Sequence, residues 1–501
     1  MFDQHPAKSF KTESISQPCL LFLLILAMLN VYTYLQGQHF PAVRAGLYLQ
    51  GAEAIAENGF GLPVRIPNYA TSTGIPFAYP PLGMYIVAVL HMLFPVSYID
   101  LALYWPTVIY VIGVALFYFL AREFADPVPA VFAGVLFATA AGPIKYLMTA
   151  GGIVRGVGIC FFIASAIIGY RYYTAPSRRR LFITAILVAL TGLSHPAWAK
   201  IAIVTHIVFA LTGSGSMRAR IRRLLTVGAV SFTLVLPWLA AVIGMHGLGP
   251  FSEALARRST GNSLNLGTVP VTLFGLVVIG GAGVQLNNRE YTLPLWLFAT
   301  WKMEMAQYIL FAIGIWTLLP AILRATFRTL QDTPMPDVNQ QVSLVMTGIL
   351  ILTLVHSAAG IGMKNAETGE LVDEGDRTAF QWIRDNTESD ATFAAGSYAS
   401  EWLPYMTDRA GVALPFGYEW INGEGVDRRI RLHKQMRTCD TAQCLERTIT
   451  SLPTHPDYLY LDDASGSLRS DLSNHTWFEL RYNREGVLIY QVEYNQTTSA
   501  T

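Results

Sequence analysis

Apolar runs recur along most of the chain, near 18–35, 78–96, 99–121, 127–147, 152–171, 180–195, 197–212, 224–245, 269–285, 292–302, 306–323 and 342–361, and the connections between them are mostly short and polar. A helix needs about 20 apolar residues to cross a bilayer core. The pattern therefore predicts a polytopic α-helical membrane protein of about 11–13 transmembrane helices over residues 1–363, with 292–302 the weakest because it is short for a span. One connection differs from the rest. Residues 37–82, beginning GQHFPAVRAGLYLQ, form a long, mostly polar insert between two apolar runs. A loop of that length is ordered only if something offsets its conformational entropy, which makes it the first candidate for function.

From about 364 to 501 the chain turns polar and charged, which marks a separate soluble domain. DRTAFQWIRDNT has helical spacing with Phe380 and Ile383 on one face. ATFAAG, DYLYLDD and the pair FELRYN and VLIYQVEY, joined at Arg484-Glu485-Gly486, read as strands ending in a hairpin. The tail is thus predicted to be mixed α/β.

Composition agrees with a membrane class. Of 501 residues 52% are hydrophobic and 14% charged, against about 25% charged in soluble proteins, and the mean hydropathy is +0.37. A net charge of +1 gives no reason to expect a nucleic-acid partner, since that would need a concentrated basic patch. Cys19 and Cys160 lie in apolar runs, where buried thiols are ordinary. Cys439 and Cys444 close a short loop in the tail, and outside the cytosol they would be oxidised to each other.

Arginine placement sets the orientation. Arg122, Arg178, Arg179, Arg180, Arg218, Arg220, Arg222, Arg223, Arg324 and Arg328 lie in connections expected to be cytoplasmic. The loop 37–82, the turn at His195, the region of Lys302 and the whole tail then fall outside. Two full spans between Phe77 and Ala121 would break that parity, so one of those blocks is re-entrant or horizontal, or a boundary lies elsewhere.

No P-loop, HExxH, Gly-x-Ser-x-Gly or dinucleotide fingerprint is present, and no histidine spacing suggests a metal site. What remain are ionisable groups at the mouth of the bundle, where a charge is costly unless it meets a partner or lines a cavity. Lys145 and Arg155 bracket the glycine-rich break KYLMTAGGIVRG; His195 lies in LSHPAW; Lys302 and Glu304 follow LPLWLFATW. Together they would suit a phosphate-bearing lipid headgroup. The alternative readings are snorkelling basic side chains, a local interfacial pair at Lys302 and Glu304, and a helix-terminus role for His195.

Here the chain resembles the GT-C class of integral-membrane glycosyltransferases, the branch similar to dolichyl-phosphate-mannose protein mannosyltransferases and the aminoarabinose transferase of lipid A. The likeness covers nearly the whole chain. It rests on one helix, a long outer loop with an amphipathic helix ending Glu57-Asn58-Gly59, then Tyr79-Pro80-Pro81-Leu82, Gly151-Gly152-Ile153-Val154-Arg155-Gly156, Leu193-Ser194-His195-Pro196, and a tail running from TAFQWIRDNT to EWLPYMTDR. It implies a cell-membrane enzyme with its C-terminal domain outside the cytoplasm. Such an enzyme would take a polyprenyl-phosphate sugar as co-substrate with no further cofactor, and act on a glycan, lipid or protein acceptor. An acid in the first loop would serve the chemistry while Arg44, Lys145, Arg155 and Lys302 hold the phosphate. The family's loop Asp is missing, because its neighbourhood reads Val43-Arg44-Ala45-Gly46 and the only acids in 37–82 are Glu53 and Glu57. Either of these serves as the catalytic carboxylate, or the chain is a non-catalytic relative that binds lipid-linked glycan or scaffolds envelope assembly. A transporter is a third class, less favoured because no matching pair of interrupted helices is evident.

Overall fold

The computed structural model describes residues 13–70, 73–252, 273–300, 304–326, 370–412, 414, 417, 420–421, 426–462 and 466–494. The chain is a polytopic α-helical membrane protein with a C-terminal α/β domain. It divides into two compact units. One comprises Met1–Gly37, Tyr104–Pro237 and Asn265–Thr368, the other Gln38–Leu103, Trp238–Leu264 and Gly369–Thr501. The loop and the tail, far apart in sequence, thus share one unit.

Among the described residues of the first unit are α1 (Glu13–Gln36), most of α4 (Tyr98–Arg122), α5 (Pro127–Thr139), α6 (Arg155–Thr174), α7 (Arg178–Ser194), α8 (Pro196–Thr212), most of α9 (Met217–His246), α10 (Leu273–Asn287), α11 (Thr292–Ala299) and α12 (Met305–Thr326). Four helices of the described chain are long and apolar enough to cross a membrane, at Gln17–Gln36, Tyr98–Arg122, Arg155–Thr174 and Met217–His246. A fifth span forms if Pro127–Thr139 and Ala141–Met148, bent by 55°, count as one. Of the other blocks of the 11–13 expected, α7 and α8 are helices of 17 residues each, and 342–361 lies outside the described residues. A polar clasp marks the inside of this unit: Asn30 donates to the Tyr110 hydroxyl at 2.9 Å and to the Ala138 carbonyl at 3.1 Å, tying α1 to α4 and α5.

In the second unit one apolar block forms a shorter helix than expected. Its α3 (Leu82–Leu93) has 12 residues, a length of about 18 Å against the roughly 30 Å of a bilayer core. The helix in the apolar block at 78–96 is therefore short for a span, which leaves α4 as the long candidate span between the loop and Arg122.

The tail carries a five-stranded mixed sheet of order β4-β3-β5-β7-β6, formed by β3 (Thr392–Ala395), β4 (Ala410–Gly411), β5 (Tyr458–Leu461), β6 (Phe478–Arg484) and β7 (Val487–Val492). β3 runs parallel to β4 and β5, and β7 is antiparallel to β5 and β6. The β6–β7 hairpin closes on Glu485 and Gly486, both at positive φ, the two-residue turn whose twist matches the strands. Helix α13 (Glu374–Asn386) starts with a capping box between Asp373 and Asp376 and buries Phe380 and Ile383.

Cys439 and Cys444 are joined, with Cα atoms 5.5 Å apart. So short a closed loop is worth about 2 kcal/mol. A Cys439→Ser, Cys444→Ser chain is expected to lose that much tail stability, read as earlier proteolysis of the tail on heating. Alkylation of both thiols in the untreated protein would show the pair unformed.

Candidate functional site

The loop folds onto the tail rather than projecting from the bundle. At its start the amides of His39 and Phe40 both donate to Oε1 of Glu370, Phe40 at 2.7 Å. Further on, Tyr69 bridges in parallel to Gly411 on the edge strand β4, the Gly411 amide donating to the Asn68 carbonyl at 2.9 Å. Arg429 of the tail reaches the Ala70 carbonyl at 3.2 Å, and Tyr79 packs edge-on to Trp420, ring centroids 5.6 Å apart. A short antiparallel pair, β1 (Arg65–Ile66) with β2 (Ile75–Pro76), stiffens the segment between. These contacts offset the entropy of so long an insert.

The loop helix α2 (Gly46–Glu57) is held at its N-terminus by the tail. Glu401, 2% exposed, accepts from the Leu47 amide at 3.2 Å and the Gly46 amide at 3.4 Å. Its side chain thus does from a distance what an N-cap residue does locally. The Tyr69 hydroxyl donates to the Glu401 carbonyl at 2.8 Å, and Trp402 Nε1 donates to the Val43 carbonyl at 3.0 Å. The approach needs glycine at 46, because a Cβ there would lie 2.6 Å from the Glu401 carbonyl oxygen. Val43 holds φ 68°, a strained setting for a β-branched residue that the Trp402 bond helps to hold. Burial raises the Glu401 carboxyl to about 7, against the Leu47 amide and the Arg44 charge, which both favour its ionised form. Arg44 therefore acts on the clasp that starts α2.

The two loop acids differ. Glu57 is exposed, whereas Glu53 is half-buried. The Glu53 carboxyl is raised above its usual range by burial, then by the charges of Glu57 and Asp408, with His91 and Arg384 acting the other way. Asp408 takes φ 55° just past the short helix Leu403–Thr407, which packs on α2. Tyr405 on that helix has its hydroxyl held strongly protonated by its own burial and by the Glu53 charge. The site around Glu53 thus draws on Asp408, Tyr405 and Arg384 of the tail, to which the sequence alone assigns no role. Tyr405 and Asp408 lie in EWLPYMTDR, which also carries Glu401, and Arg384 lies in TAFQWIRDNT.

The remaining candidates fall in the first unit. Arg155 opens α6 after a π-turn at Ile144–Met148 and a 3₁₀ turn at Ala150–Ile153. Its guanidinium lies 4.8 Å from the centroid of Tyr146, and its Nε is buried with no hydrogen bond. Tyr146 lines a cavity of about 150 Å³ with Gly142, Trp198, Glu304 and Tyr308. The Tyr308 hydroxyl donates to Glu304 at the cavity wall. Lys145 lies in the same π-turn. Lys302 lies outside the described residues. His195 caps α8, its Nδ1 accepting from the Ala197 amide at 3.3 Å, so the structure gives it the helix-terminus role. Among the described residues no group of three or more His, Cys, Asp or Glu is placed to hold a metal ion.

The fold that carries this site is that of the GT-C membrane glycosyltransferases. The chain superposes on the archaeal oligosaccharyltransferase AglB from Archaeoglobus fulgidus, in complex with an inhibitory peptide and a dolichol-phosphate, with a TM-score of 0.61 and 13% identity over 97% of this chain and 75% of that one. ArnT from Cupriavidus metallidurans bound to undecaprenyl phosphate gives 0.55 and 13% over 94% and 97%. The mycobacterial arabinofuranosyltransferase AftD gives 0.52 and 14% over 96% of this chain and 42% of that one. No protein-family model and no curated protein matches the sequence.

Proposed function

We propose that the chain moves a sugar from a polyprenyl phosphate to a glycan, lipid or protein acceptor on the outer side of the cell membrane, where the tail also lies. The observation that carries the reading is Arg155. It places an unused, buried N–H at the N-terminus of a membrane helix, a setting that favours an anion, on a fold whose solved examples hold dolichol-phosphate and undecaprenyl phosphate. In the reaction the acceptor's O–H or N–H attacks the anomeric carbon and its proton passes to a carboxylate base. The bond from that carbon to the phosphate oxygen breaks, and the electron pair leaves with the lipid phosphate, whose charge Arg155 stabilises, assisted by Lys145 and Lys302. Glu304 offers a carboxylate to accept from a sugar hydroxyl, and Trp198 an apolar face to the ring.

Undecaprenyl phosphate binding to the purified full chain, followed by tryptophan quenching, tests the phosphate half. Arg155→Ala is expected to weaken binding about tenfold, the worth of one charge-assisted hydrogen bond pair. Equal binding by both proteins would remove Arg155 from the site. The alternative of a non-catalytic binder keeps this result and differs only in turnover.

A further inference from the structure

The arginines at 122, 171–180 and 218–223 look dispersed along the sequence, and the fold brings them to one end of the first unit. Arg171 at the end of α6 pairs with Glu123 beyond α4 at 2.5 Å. The connection between α8 and α9 closes on the same place, with the Ser214 amide donating to the Tyr173 carbonyl at 3.0 Å and Arg223 donating to the Ser214 carbonyl at 2.7 Å. The basic patch that composition gives no reason to expect is therefore built by packing.

Within it lies a groove of about 560 Å³ between the end of α6 and the start of α7. Its lining combines the apolar Ile168 and Ile183 with Arg171, Arg179, Arg180 and Ser177. Arg179 makes no hydrogen bond or ion pair among the described residues. Arg180 uses Nη1 on the carbonyls of Arg171 and Ala175 and keeps Nε and Nη2. Arg171 uses Nε and Nη2 on Glu123 and keeps Nη1. Ser177 accepts from the Arg180 amide, which leaves its hydroxyl hydrogen to donate. The groove is thus lined by residues with unused donors, and no carboxylate lines it.

We propose that this groove seats the phosphodiester of an anionic phospholipid of the bilayer, with its acyl chain along Ile168 and Ile183. Three features select that ligand over a free phosphate or a zwitterionic lipid. The groove lies at the end of a 20-residue candidate span, the depth of the headgroup layer. Its apolar lining residues, Ile168 and Ile183, have no use for an inorganic ion. The ammonium of a zwitterionic lipid would face the surrounding guanidinium groups, whereas a net anion gains from each of them.

Native mass spectrometry of the full chain, released from detergent containing equal phosphatidylglycerol and phosphatidylcholine, tests this. The wild-type chain is expected to retain phosphatidylglycerol selectively, and Arg179→Gln to lower its occupancy about fivefold at unchanged melting temperature. Arg431→Gln, an exposed tail position, is the control and should leave occupancy unchanged. Equal retention of the two lipids, unchanged occupancy in Arg179→Gln, or displacement of the lipid by millimolar inorganic phosphate would each overturn the proposal. None of these readouts depends on sugar transfer.

Discussion

Glu53→Gln is expected to slow sugar transfer from a polyprenyl-phosphate donor at least a hundredfold, roughly the lower bound for loss of a general base, with undecaprenyl phosphate binding unchanged. The substitution keeps the size of the side chain and removes only its ability to take a proton. Glu53 is the acid of α2 whose surroundings suit proton transfer. It is half-buried, and pushed above the usual carboxylate range by burial and by Glu57 and Asp408. The base must be ionised to work, so the rate should rise with pH, and its acid limb should lie above the ordinary glutamate value of 4.5. Glu57→Gln removes a like charge and so makes ionisation of Glu53 easier. It should leave the maximal rate nearly intact and move the acid limb to lower pH. A Glu53→Gln enzyme turning over at the wild-type rate would take α2 out of the chemistry.

The second large effect is expected at Glu401. Its buried carboxyl titrates at about 7 in the folded chain against 4.5 for a free side chain. The folded state therefore favours the neutral form, and that contribution is fully present below about pH 4.5 and is lost as pH rises through 7. The difference is on the order of 3 kcal/mol. The groups whose charge or hydroxyl faces it are Arg44 and Tyr69. Hydrogen-exchange protection of Gly46–Glu57 should accordingly fall from pH 5 to pH 8 in the wild-type chain. In Glu401→Gln the fall should be flattened, with a loss of about 1 kcal/mol for the one amide it cannot serve. Glu401→Ala leaves both amides unserved beside a cavity and should cost about 2–4 kcal/mol at every pH. Identical profiles for wild type and Glu401→Gln would place the pH dependence elsewhere.

How much of this can be read in the sequence follows from how local each feature is. The long apolar runs, the tail strands and the α13 face of Phe380 and Ile383 have their own periodicity and are legible. Helix α3 is not separable from a span, because apolar composition alone does not reveal that the helix stops after 12 residues. The clasp on α2 is illegible for another reason. Glu401 and Leu47 are 354 residues apart, and an acid in EWLPYMTDR carries no mark of being buried by a loop it meets only on folding. The pairing of Tyr69 with Gly411 likewise involves a single residue on each side, too short for any alternation to show. The family resemblance locates the loop and points to the missing Asp at Val43-Arg44. The acid that the structure places at that end of the helix, Glu401, comes from the tail and accepts from the Gly46 and Leu47 amides.

Sugar transfer itself is tested most directly by release of free polyprenyl phosphate when the purified full chain, in liposomes with a cell-envelope acceptor extract, is given a panel of radiolabelled polyprenyl-phosphate sugars. Release is expected from at least one donor, with the label recovered in acceptor in equal amount. Tight binding of every donor with no release from any would contradict the transferase assignment and leave the chain a binder of lipid-linked sugar.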